Sequence, residues 1–292
     1  MANLKEIRSR ITSVNSTMQI TSAMKMVSAA KLRRAQDAII RMRPYAEKLQ
    51  EILQNVSGSP SVSENVYAQE RDVERLLIIS VTSNRGLAGA FNNNVIKHVN
   101  SIIEAHPNTD IKVLSVGKKS FDAFKKTNHV PGVGYPEEPF TIYDNLNFDE
   151  SSIIAQSVMD KFAEGKIDKV VLVYNSFKNA AVQILKEEQF LPIVPPSSSE
   201  DSGVQSDYIF EPNREEIVDE LIPKSLKIQL YKAILDSHAS EHGARMTAMH
   251  KATDNAGELV KDLKLTYNKA RQASITNEIL EIVAGAEALS EA

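Results

Sequence analysis

From residue 3 to residue 57 the chain carries apolar side chains at a seven-residue period. Leu4, Ile7, Ile11, Val14, Met18, Thr21, Lys25, Ser28, Leu32, Ala35, Ile39, Met42, Ala46, Leu49, Leu53 and Val56 form one stripe. Thirteen of the sixteen are apolar, and the three exceptions, Thr21, Lys25 and Ser28, are consecutive. The segment has no Gly and a single Pro, Pro44, so the pattern predicts one long helix with a kink point at Arg43-Pro44. At ~1.5 Å per residue such a helix is roughly 80 Å long. A stripe so narrow needs a partner along its length.

The C-terminal end repeats the pattern from about Lys224 to Ala288. Pro223 is expected to end or kink the helix that Arg214–Leu221 forms, so the long segment starts after it. Its stripe reads Ile228, Tyr231, Leu235, His238, His242, Arg245, Met249, Ala252, Ala256, Leu259, Leu263, Thr266, Ala270, Ala273, Asn277, Leu280 and Ala284. Twelve of the seventeen are apolar, and three of the five polar members fall together, at His238, His242 and Arg245. The two segments predict a long antiparallel two-helix coiled coil. A polar group facing an apolar seam lacks a partner, so the two polar gaps should lie opposite each other. Partner numbers then sum to about 266, give or take a heptad. That sets Met24 near His242, Val56 near Phe210 and Asn3 level with Leu263. Beyond that level Ile275, Ile279, Leu280, Ile282 and Val283 sit on a helix with no partner in the chain, and another protein must cover them.

Between the two ends the period changes. Arg75–Thr82, Ile111–Val116 and Val170–Tyr174 are short β-branched runs of the buried-strand type, with helix-like stretches at 90–105, 118–126 and 150–164. Val182–Phe190 and Asp207–Phe210 read as further strands, antiparallel edges of the same sheet. The fold class is α/β: a central Rossmann-like α/β domain, residues 70–212, inserted between coiled-coil helices at 1–57 and 213–292. Ser57–Ser63 and Pro195–Gly203 are connectors rich in Ser, Pro and Gly.

Composition narrows the chemistry. The absence of Cys removes disulfides, thiolate metal sites and a cysteine nucleophile. No run approaches the ~18 apolar residues of a membrane span. The start Met1-Ala-Asn-Leu-Lys-Glu6 resembles neither a signal peptide nor an acid-free transit peptide, so a soluble protein is expected. The net charge of −4 hides an asymmetry: residues 1–57 hold 10 Lys/Arg against 4 Asp/Glu, whereas residues 58–224 hold 16 against 25. A basic arm on an acidic protein points to an acidic partner. Nucleic acid is a poor one, because the arm has one aromatic, Tyr45, and the chain no Trp for base stacking.

Three stretches invite a site. Asn84-Arg-Gly-Leu-Ala-Gly-Ala90 follows a strand and opens a helix, where a phosphate would sit, but it lacks both the Rossmann glycine spacing and the Lys-Ser/Thr of a phosphate-binding loop. A tight turn is the better reading, and no cofactor is expected. His238 and His242 stand one helical turn apart, as metal-binding pairs do, yet no third ligand follows at close spacing. At Ile20–Lys31 the heptad fails while Ile20, Ala23, Met24, Met26, Val27, Ala29 and Ala30 spread apolar surface over more than one face. Either the stripe slides sideways there, or a further protein encloses it.

These segments resemble the gamma subunit of F-type rotary ATP synthase, of bacterial type without a transit peptide. The resemblance rests on Asn268–Ala286, with Ile275, Thr276, Glu278, Glu281, Gly285 and Ala286 at the family spacing. Leu4–Ile11, Ile20–Val27, the Ser83–Gly89 loop and Ala244–Ala256 support it. The resemblance implies a non-catalytic central shaft that couples ion-driven rotation of the membrane c-ring to ATP synthesis or hydrolysis in the alpha/beta head. It implies beta-subunit contacts at Met24, Lys25, Met26, Val27, Lys31, Arg33, Arg34 and Arg245, and a bearing at Ile275, Ile279, Leu280, Ile282 and Val283. The epsilon subunit and the c-ring are the implied partners of the α/β domain. The implied location is the cytoplasmic face of the cell membrane, held peripherally through partner subunits.

Overall fold

The computed structural model describes residues 4–56, 65–193 and 214–290. The expected strand at Asp207–Phe210 and both expected connectors lie outside the described residues. Helix α1 spans Leu4–Val56 and helix α5 spans Arg214–Ser290. Between them come β1 (Arg75–Val81), α2 (Phe91–Ala105), β2 (Asp110–Val116), α3 (Lys118–Phe124), α4 (Phe148–Ala163), β3 (Lys169–Phe177) and β4 (Gln183–Leu191). The chain divides into two compact units, one of residues up to Ser28 with those from Met246 on, the other Ala29–Arg245.

In the second unit the sheet order is β2-β1-β3-β4, with β1 parallel to both neighbours and β4 antiparallel to β3 at the edge. Both faces are covered, which is why the inner strands read as unbroken apolar runs. One face, with Leu77, Ile79, Leu114, Leu172 and Tyr174, packs on α4 and on Ile222, Leu226, Leu230, Ala233 and Ile234 of α5. The opposite face, with Leu76, Ile78, Val113, Val171 and Val173, packs on Val95, Val99 and Ile102 of α2. The lower end of the sheet is tied by Asp168, which accepts from the Arg75 guanidinium at 2.7 and 3.1 Å and from the Arg75 backbone at 2.8 Å. These bonds hold its carboxyl below the usual range against the upward push of burial.

Pro223 does not end a helix. α5 begins at Arg214 and runs through it, as α1 runs through Pro44. An interior proline costs about 3 kcal/mol, and burial of Ile222 and Leu226, each near 2 kcal/mol, offsets that locally.

In the first unit α1 and α5 pair antiparallel. Thr21 Oγ1 lies 2.8 Å from Thr253 Oγ1, and a Cβ on Gly257 would stand 3.8 Å from Met18 Sδ. Partner numbers therefore sum to 274 and 275, about one heptad beyond the expected 266. The α5 seam also differs in its second column. Met249, Ala256, Leu263 and Ala270 face inward as expected, but Thr253, Val260, Tyr267 and Ser274 join them, while Leu259 and Thr266 are exposed. Apolar residues flank the shared column on both sides, so the heptad pattern alone is degenerate; side-chain size does not settle it, since Leu259 is larger than Val260 yet is the exposed one. The last half-buried seam residue is Ser274.

Candidate functional site

Helix α1 keeps its heading through the polar gap. Thr21 and Ser28 are buried and Lys25 half-buried, so the stripe does not slide. Thr21 pairs with Thr253, and Ser28 donates to the Met24 carbonyl at 2.8 Å, so the two hydroxyls of the gap are satisfied within their own unit. The surplus apolar side chains are consequently left outside: Ile20, Met26 and Val27 are 57–64% exposed, and Met24 is half-buried. Lys31, Arg33 and Arg34 follow on α1, all exposed. Covering each exposed apolar group is worth on the order of 1 kcal/mol.

The far end of α5 is more exposed still. Ile275, Ile279, Leu280, Ile282 and Val283 are 48–71% exposed, and no described residue buries them. The helix nonetheless continues to Ser290, with Ser274 and Thr276 bonded to groups one turn away.

The Ser83–Ala90 loop takes a shape opposite to a phosphate cradle. The Ser83 N–H donates to Asn92 Oδ1 at 2.9 Å, and Leu87 and Gly89 adopt φ of +64° and +59°. This turns the Arg85 and Gly86 carbonyls onto Arg245, whose Nη2 donates to them at 3.0 and 3.2 Å and whose Nε donates to Gly86 at 3.3 Å. A phosphate needs donors, and these carbonyls are acceptors. The crevice beyond β1 and β3, where the strand order reverses and a nucleotide would bind, is filled by α5. Ser176 donates to Asp236 there at 3.1 Å, and a Cβ on Gly243 would come within 3.1 Å of Ala180 Cα.

Arg245, expected in a beta-subunit contact, is thus not among the exposed cations of the isolated chain. It is 6% exposed, ion-paired with Glu241 and spent on the loop. The histidine pair belongs to the same cluster. Arg245 Nη1 lies 3.5 Å from His242 Nδ1, and His242 Nε2 lies 3.1 Å from His238 Nε2. A relay follows, in which Arg245 donates to His242 and His242 donates to His238. Burial, reinforced by neighbouring cations, pushes His238 down to about 4 and His242 down to about 3. Both rings are neutral at pH 7, and Tyr143 stacks on His238 at 5.8 Å. Among the described residues no group of three or more metal-ligating side chains converges here. From sequence Glu241 stands out only as a carboxylate between the two histidines, misplaced for a zinc-protease site, and not as the partner of Arg245. Its i, i+4 spacing to Arg245 on a buried stripe is the signal that could have found it.

The ATP synthase family model matches residues 3–289. The ATP synthase gamma chain of Flavobacterium johnsoniae is 60% identical over 99% of this chain and 100% of its own length. That of Christiangramia forsetii is 59% identical over 99% and 100%. Among solved structures, a chain of the Euglena gracilis mitochondrial ATP synthase has a TM-score of 0.64 at 21% identity over 98% of this chain and 94% of that one. A central-stalk chain from Tetrahymena thermophila has a TM-score of 0.59 at 23% identity over 80% and 99%. The fold is shared with the structures, the sequence is shared end to end with the bacterial relatives, and the chain belongs to the ATP synthase gamma-chain family.

Proposed function

We propose that this chain is the central rotor shaft of an F-type ATP synthase and performs no bond chemistry itself. Ion-driven turning of the c-ring reaches the alpha/beta head through its helices, and ATP is made or hydrolysed there. The observation that carries the reading is the apolar surface left over at 20–27 and 275–283, on helices whose own seams are already satisfied. Met24, Lys25, Met26, Val27, Lys31, Arg33 and Arg34 combine apolar and cationic groups, which suits acidic, moving beta-subunit loops. Ile275, Ile279, Leu280, Ile282 and Val283 suit an apolar bearing in the head. The α/β unit is assigned to the epsilon subunit and the c-ring. No helix among the described residues is long and apolar enough to cross a membrane. In this role the chain sits at the cytoplasmic face of the cell membrane, held peripherally by its partner subunits.

The test is reconstitution. Alpha and beta subunits with this chain should show steady ATP turnover, and the chain alone none. Turnover by the chain alone, or failure to co-isolate with alpha and beta subunits from membranes, overturns the reading.

A further inference from the structure

We propose that Arg245 is a positioning residue that locks α5 against rotation relative to the sheet, an inference that rests on the rotor reading. The α/β unit grips α5 chiefly through Ile222, Leu226, Leu230, Ala233 and Ile234. Apolar contact is non-directional, so by itself it resists turning of a helix about its own axis only weakly. Hydrogen bonds resist it because their energy falls steeply with angle. Two of the polar ties along this grip are single bonds: Ser176 to Asp236 at 3.1 Å, and Gln229 to the Gln189 carbonyl at 3.2 Å.

Arg245 is different in kind. Its Nε and Nη2 span two consecutive carbonyls of the β1–α2 loop, while Nη1 is held by Glu241 one turn back on the same helix. The guanidinium is planar, so fixing three of its corners fixes its orientation. Both side chains of the ion pair are under 10% exposed, which strengthens each bond and bars water from replacing it. The loop cannot drift either. Ser83 is held by Asn92, and the two Asn84 side-chain bonds, from the Lys118 N–H at 3.0 Å and to the Phe140 carbonyl at 2.8 Å, anchor the loop to α3 and to the segment before α4. Torsion on α5 therefore reaches the end of β1 through directional bonds. A lysine at 245 would keep the charge beside Glu241 but offers a single point of attachment where the fork spans two carbonyls.

The experiment uses Arg245→Lys and Glu241→Gln chains in the full complex, reconstituted with its membrane sector in vesicles. ATP hydrolysis and ATP-driven ion uptake are measured on the same vesicles, and hydrogen exchange at residues 85–89 on the purified chains. Loss of charge-assisted bonds should raise loop exchange by about tenfold or more. Ion uptake per ATP hydrolysed should fall, most of all against an opposing gradient. A purely structural role would lower the amount of complex without altering that ratio. Raised loop exchange with an unchanged ratio overturns the lock and leaves the rotor reading intact, whereas failure of the unaltered chain to assemble strikes the rotor reading. Should Arg245→Lys not fold, Glu241→Gln, which leaves the fork in place but removes its anchor charge, decides the matter alone.

Discussion

The hydroxyls of Thr21 and Thr253 meet at 2.8 Å where the apolar seam of α1 gives way to its polar gap. Each also lies within bonding reach of a carbonyl of its own helix, Met18 at 3.0 Å and Met249 at 2.8 Å; with one proton apiece, one hydroxyl donates across the seam and the other to its own carbonyl, and either can donate to its own helix if the other is removed. One polar pair in an apolar interface fixes register at a modest energetic cost. Thr21→Val and Thr253→Val should each destabilise the helix pair by about 1 kcal/mol, with a double-mutant coupling of about 0.5–1.5 kcal/mol. Denaturant titration of the four variants measures this, and zero coupling would refute the role in register.

Gly117 has φ +139°, and a Cβ there would stand 2.1 Å from the Thr82 carbonyl oxygen. No neighbouring side chain can yield, because the obstacle is backbone. Gly117→Ala is expected to cost several kcal/mol, on the order of the largest single-residue effects. Gly89→Ala, with φ +59° but open space, is expected to cost about 1 kcal/mol. Melting temperatures of the two variants provide the comparison, and similar values would contradict the argument.

Burial lowers both His238 and His242, so the folded chain stays unprotonated while the unfolded chain takes up protons below about pH 6.5. The stability these neutral rings carry is present above pH 6.5 and is lost as pH falls toward their folded values near 4 and 3. By pH 5 the loss should be on the order of 2 kcal/mol for each ring. His238→Leu should flatten the pH dependence of unfolding between pH 6.5 and 4; a curve as steep as the unaltered one would count against the account.

Leu280→Asp and Ile282→Asp alter side chains that are 60% and 71% exposed. Unfolding of the isolated chain should shift by less than about 0.5 kcal/mol. Assembly with alpha and beta subunits should weaken markedly, because a carboxylate would enter an apolar sleeve. Assembly at unaltered affinity would remove the bearing.

Periodicity was sufficient for the sheet and for the existence of both helices, because burial on two faces or on one stripe leaves a strong pattern. It failed where several residues compete for one role. Leu259 and Val260 are both apolar, and only packing selects Val260. Pro223 lies inside α5 because its neighbours are buried, a tertiary effect that local rules do not contain. The same holds for the cluster around Arg245. The polar gap at His238–Arg245 was visible as a gap, but its partners, the Arg85 and Gly86 carbonyls, are about 160 residues away and belong to the backbone, which no side-chain pattern records. The exposed residues at 275–283 were readable as uncovered because the helix extends beyond any partner among the described residues.

The pairing of Thr21 with Thr253 closes a span of 232 residues. During synthesis the first helix emerges long before its partner, and the apolar edge formed by Ile7, Ile11, Val14 and Met18 must wait until almost the whole chain has left the ribosome. The α/β unit, whose strands lie between residues 75 and 191, has most of its contacts available earlier. Birth order therefore favours a chain that folds from its middle outward. The first helix would be the last element to gain a permanent neighbour and the most exposed to aggregation until then.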